Sequence, residues 1–165
     1  MGKGGYTMKV VVTLTKKFPN HHPLFGEPTG FADSVKAGIK IHTCRDNYNY
    51  WSSKIETLKH KGGTLCIREW SGIPYRSPQR TIAEIPSEIV HVSKLDIIRI
   101  HSTNPIPCYY YYAAVNEKCV RIVDIALNDG FYCRRDFESF FDPIFDRYKT
   151  NRLLLAIIHF NAFNY

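Results

Sequence analysis

The chain has no Cys-x-x-Cys pair, no His-Glu-x-x-His spacing, no Gly-x-Ser-x-Gly elbow and no glycine-rich loop running into Lys-Ser/Thr. Each absence removes a class of chemistry. Without paired cysteines, the five that are present, Cys44, Cys66, Cys108, Cys119 and Cys133, suggest neither a zinc ribbon nor a disulfide framework, and a reducing, cytoplasmic setting is expected. The seven histidines show no ligand spacing, and the adjacent His21 and His22 lie in a proline-rich loop, so neither a metal site nor a cofactor is expected. Without a phosphate-binding loop or a nucleophile elbow, nucleotide triphosphatase and α/β-type serine hydrolase activities have no support. Long apolar runs are missing too: the longest late run, 153–158, falls far short of the roughly 20 residues of a membrane helix, so no membrane association is expected. Acidic residues are in short supply, 15 against 22 Lys and Arg, and the resulting charge of +7 suits polyanionic partners such as nucleic acid. Solubility alone accounts for that surplus equally well. Against these absences stands an ordinary globular composition, 44% apolar in 165 residues, enough for one domain with one buried core.

The N-terminal residues 1–5, with three glycines, read as a flexible leader, and 6–165 as a single domain. Residues 6–15 alternate with period two and predict a strand; 16–28 is turn-rich. Thr29 is placed to cap a short helix carrying Phe31, Val35 and Ile39 on one side, with Gly38 as its stop. Residues 40–45 form a short β segment, and Asp46 or Asn47 caps a helix to about Lys61 with Trp51, Ile55 and Leu58 on one face. Two strands, 64–70 and about 80–85, make a hairpin around a Ser-Gly-Ile-Pro turn, followed by β-rich stretches at 88–100 and 108–115. Residues 116–128 predict a helix capped by Asn116. A further helix spans 135–148, where Pro143 is expected to kink or split it, and 153–160 closes the chain as a buried strand. Antiparallel connections are expected over βαβ crossovers, giving an α+β fold with three or four flanking helices.

The most informative stretch is Ala37-Gly38-Ile39-Lys40-Ile41-His42-Thr43-Cys44-Arg45-Asp46 behind the Phe31 helix. Its second half is Asn128-Asp129-Gly130-Phe131 followed by Asp136-Phe137-Glu138-Ser139-Phe140-Phe141. A helix, a glycine turn and then Lys, Thr and Arg at spacings of three and two, with an acidic-Gly-Phe turn later, resembles the ASCH domain family of the PUA-like superfamily. The likeness runs over about 31–160, although 46–116 agrees only in the order of elements. It implies a PUA-like small β-barrel or curled mixed sheet, and binding of RNA or modified nucleosides beside the Lys-Thr-Arg strand. Some small members are amidohydrolases that deacylate the exocyclic amine of cytidine with a Lys, a Thr and a carboxylate. By position, Lys40, Thr43 and Asp129 would fill those roles and Arg45 the motif arginine; Asp129 departs from the family's Glu by one methylene.

The chemistry makes its own demands on these residues. A Thr hydroxyl needs a neighbouring base, and a Lys serves as one only when burial or a nearby cation lowers its pKa. In one continuous strand Thr43 and Arg45 share a face and Lys40 points to the other, so Lys40 must lie in the bend after Gly38 for the group to converge. The plain structural alternative is a solvated Lys40, a β-forming Thr43 and an Arg45 ion-paired to Asp46 or Asp129. A second candidate surface combines Arg68, Trp70, Tyr75, Arg76 and Arg80 around the hairpin turn, aromatic faces for unpaired bases with guanidinium groups for phosphates. A tryptophan covering the end of the barrel explains Trp70 without any ligand. Three functions therefore stand side by side: an RNA- or modified-nucleoside-binding module, an amidohydrolase acting on an acylated cytidine, and a protein-interaction domain. The sequence carries no signal of oligomeric state.

Overall fold

A computed structural model describes residues 7–105 and 107–165. The expected leader and the first residue of the expected opening strand lie outside these. In chain order the elements are β1 (Met8–Leu14), α1 (Phe31–Lys36), β2 (His42–Arg45), α2 (Tyr48–Lys61), β3 (Gly63–Trp70), β4 (Gln79–Pro86), β5 (His91–Ser102), β6 (Cys108–Val115), β7 (Lys118–Val120), α3 (Ile122–Asn128), α4 (Arg134–Tyr148) and β8 (Arg152–His159). Among the described residues four helices thus accompany two sheets, ordered β1-β3-β4 and β2-β8-β5-β6-β7, in a mixed α+β fold. No described helix is long and apolar enough to cross a membrane.

Alternation builds the core. Val10, Val12 and Leu14 of β1 and Leu65 and Ile67 of β3 are buried, and they pack with Leu95 and Ile97 of β5 and Leu155 and Ile157 of β8 into one cluster. β8 is buried along nearly its whole length because it is a central strand between β2 and β5. Helix α2 starts where Asn47 accepts the Tyr50 amide on its side chain, and it buries Ile55 and Leu58. Helix α4 buries Phe137, Phe141 and Phe145 at four-residue spacing.

A curled mixed sheet, one of the two expected arrangements, is compatible with the two open sheets; the other, a closed barrel, is not formed among the described residues, because neither sheet closes on itself or on the other. The reason lies at the free edge of β2. Its Cys44 amide donates to the Asp129 carboxylate, and the Ile41 amide just before the strand donates to the Asn128 carbonyl, so the turn after α3 takes the donors that a neighbouring strand would need. Across the gap, the Arg45 guanidinium reaches the Thr13 carbonyl of β1 at 2.8 Å in place of a backbone ladder.

Four local expectations are also corrected. β1 and β3 pair in parallel, from Met8 opposite Gly63 to Leu14 opposite Glu69, because the intervening chain with α2 supplies the crossover. Residues 116–128 do not form one helix: Asn116 and Glu117 adopt left-handed backbone (φ 48° and 72°) as a two-residue hairpin turn into β7, and only α3 is helical. Pro143 lies within α4 without splitting it, since the buried phenylalanine face runs past it from Phe137 to Phe145. Helix α1 is also shorter than expected: its N-cap is Gly30, and Ile39 is exposed beyond its end.

Close approach explains Gly63. A Cβ there would collide with the Met8 carbonyl oxygen and lie 2.8 Å from Leu58 Cδ1, so α2 and β1 press against this position from two sides. Gly63→Ala is expected to destabilise the protein by about 1–3 kcal/mol, the usual cost of overpacking; urea unfolding followed by circular dichroism checks it.

Candidate functional site

Helix α1 ends at a sharp turn in which Gly38 adopts φ 71° and the Ile39 and Lys40 amides both donate to the Ser34 carbonyl. Lys40 therefore precedes β2, outside its alternation, and its side chain turns inward. The Lys40 ammonium donates to the Asp129 main-chain oxygen at 2.5 Å and to the Asp129 carboxylate, and it lies 4.5 Å from the centre of the Phe31 ring. Both side chains are almost fully buried. Gly130, at φ 82°, lets this happen: a Cβ there would come within 3.1 Å of the Lys40 side chain. The second Asp129 oxygen accepts the Cys44 amide at 3.1 Å. On the other side of β2, Arg45 Nη1 donates to Thr43 Oγ1 and to the Cys44 carbonyl, both at 2.9 Å.

The structure thus brings Lys40, Thr43, Arg45 and Asp129 around one small cavity, closed by Phe31, Phe131, Phe140 and Phe141. Its volume of ≈ 10 Å³ is about the least that admits a single water. Burial sets the electrostatics. It pulls the Lys40 ammonium below its usual 10.5, against the upward pull of the Asp129 carboxylate, and it lowers Arg45 as well. Burial also raises the Cys44 thiol well above 9.0 and, with Lys40 nearby, holds His42 well below 6.5. Among the described residues no hydrogen bond joins Thr43 to Lys40, and the Thr43 hydroxyl is occupied by Arg45.

Next to this cavity an open cleft of ≈ 680 Å³ runs between the end of β1 and the loop joining β3 to β4. Leu14 and Thr15 line both spaces. Trp70 and Tyr75 form the cleft's aromatic wall, with ring centres 5.1 Å apart. The loop is tied down by its own polar groups. Ser71 bonds to the Pro78 carbonyl through both its amide and its hydroxyl, the Gly72 amide donates to Ser77 Oγ, and Ser77 Oγ donates to the Ile73 carbonyl. Tyr75, held at φ 64°, is 90% exposed.

The three arginines expected beside these aromatics are placed elsewhere. Arg80 is ion-paired to the buried Glu69, Arg68 is half-buried with an unpartnered Nε, and Arg76 is exposed on the loop; none lines the cleft. Charge at the cleft comes instead from Lys16 and Lys17, with Thr13 and Gln79 adding polar groups. The sequence signal for them was the Lys-Lys pair directly after the first strand. Sequence reasoning placed Asp129 in the candidate site but passed over its neighbours His42 and Cys44; ligand atoms of the three lie within 4.8 Å of one another and could hold a metal ion. The alternation of His42-x-Cys44 along one strand face is the signal that could have found two of them.

Asp129→Asn keeps an acceptor for the Cys44 amide but leaves the buried Lys40 ammonium without its counter-charge. A loss of about 3–5 kcal/mol in stability is expected, and adding Lys40→Met should recover most of it. Urea midpoints of the two single variants and the double variant measure this. No family model, curated protein or solved structure matches the chain.

Proposed function

We propose that this chain is an ASCH-like module that binds an unpaired nucleobase, in RNA or as a modified nucleoside, not against the Lys-Thr-Arg strand itself but in the adjoining cleft between β1 and the 71–78 loop. The observation that carries the reading is the Trp70–Tyr75 wall standing over an open cleft with Lys16 and Lys17 at its edge. Aromatic faces stack on any base, and ammonium groups attract the phosphates that flank it. Behind the cleft, Lys40, Thr43, Arg45 and Asp129 act as positioning residues. Arg45 holds the Thr13 carbonyl, and Gln79 donates to Thr13 Oγ1 at 3.1 Å, so the buried network and the cleft meet at Thr13. The scattered cysteines support a cytoplasmic setting for this activity.

Two features weigh against the amidohydrolase reading. The cavity beside Thr43 has no room for an acylated base, and among the described residues no base is hydrogen-bonded to the Thr43 hydroxyl. A protein-interaction role is tested by the same experiment, since it predicts no salt-sensitive binding of RNA.

The test is a fluorescence-anisotropy titration of labelled single-stranded RNA at two salt concentrations, with intrinsic Trp quenching for free nucleosides. Trp70→Ala should weaken binding by about 5- to 150-fold, the worth of one stacked base. Lys16→Ala with Lys17→Ala should flatten the salt dependence, while Arg76→Ala should leave affinity within about twofold. Binding that is unchanged by Trp70→Ala removes the cleft from the interface and overturns the proposal.

A further inference from the structure

On β2 the alternation of side chains places His42 and Cys44 on the same face, and Asp129 arrives at that strand's free edge from the turn after α3. A ring nitrogen, a thiol sulfur and a carboxylate oxygen thereby gather within 4.8 Å of one another, and all three residues are at most 2% exposed. The second observation is an unpartnered atom. His42 Nε2 is bonded to the Tyr165 hydroxyl at 2.6 Å, whereas Nδ1 is buried with no hydrogen-bond partner. A buried nitrogen with no partner is costly, and protein interiors seldom leave one without a reason. A histidine with one ring nitrogen held by a polar group keeps a fixed tautomer and has the other nitrogen free to take a ligand, as metal-binding histidines do.

We propose that His42, Cys44 and Asp129 form a binding site for one zinc(II)-class ion. The donor set decides the class: one nitrogen, one sulfur and one oxygen suit a borderline ion, whereas calcium and magnesium take oxygen ligands. On binding, a metal–sulfur bond forms as the S–H bond of Cys44 breaks, and the proton leaves to solvent. The Cys44 thiolate and the Asp129 carboxylate then offset the two charges of the ion. Lys40 is the competitor, because its ammonium already neutralises Asp129. The inference does not rest on the nucleobase-binding reading: none of its three ligands lines the cleft, although Asp129 also belongs to the cluster behind it.

The experiment uses the full chain carrying Cys108→Ser, Cys119→Ser and Cys133→Ser, which removes the exposed thiols that would bind metal on their own. The protein is refolded with cobalt(II), which reports thiolate ligation through a near-ultraviolet charge-transfer band, and the cobalt is then displaced by zinc. One equivalent of cobalt per chain with that band is expected. The band should be lost in Cys44→Ser, affinity should fall on the order of 10-fold or more in His42→Gln, and Lys40→Met should bind more tightly. Circular dichroism identifies any variant that fails to fold; should Cys44→Ser fail, the affinity of His42→Gln, with its thiol intact, decides. A missing band in the triple-serine protein, a band that survives Cys44→Ser, or an affinity unchanged by His42→Gln overturns the site.

Discussion

The buried contact between Lys40 and Asp129 is the constraint on which the rest of the site depends. An ammonium and a carboxylate removed from water are tolerated only when each satisfies the other and the remaining hydrogen-bonding atoms find partners. Here Lys40 answers both the carboxylate and the main-chain oxygen of Asp129, and the second carboxylate oxygen takes the Cys44 amide. That last bond fixes the α3–α4 turn against β2. Once the turn is there, no strand can add to that edge, and the fold stays open between its two sheets.

The open edge is what gives the protein a cleft. Arg45 bridges from β2 to the Thr13 carbonyl, so the end of β1 is held near the second sheet without being hydrogen-bonded into it. Thr13, Leu14 and Thr15 then form one side of the cleft, and the 71–78 loop the other. The charged cluster works from behind this surface: it sets where β1 ends, while the aromatic wall and the two lysines face solvent.

Local signals in the sequence carried much of this. The Asn47 cap marks the start of α2, the β-rich stretch 108–115 coincides with β6, and Gly38 places Lys40 in a bend outside the strand. What local patterns do not contain is pairing at a distance. The parallel union of β1 with β3 depends on a crossover through α1, β2 and α2, and the barrel fails to close because of a turn more than eighty residues from β2. The arginines of the hairpin show the same limit. Period two places Glu69 opposite Arg68 and Trp70, yet it cannot foresee that Glu69 is buried and draws Arg80 to itself. The register shift between Ile67 and Arg68, which changes how this end of β3 meets β4, leaves no mark in the composition. The convergence of Lys40, Thr43, Arg45 and Asp129 was suggested by a motif; the near-absence of space between them is a matter of packing, set by four phenylalanines from three parts of the chain.

The backbone of the 71–78 loop has a consequence in time. Tyr75 holds a left-handed conformation that a side chain with a Cβ adopts at a cost of order 1–3 kcal/mol, and the loop's serines sustain it. That cost is met when the chain folds. On the proposed reading the wall would already be standing when a nucleobase arrived, and the pace of capture would be set by diffusion and orientation rather than by waiting for a loop to rearrange.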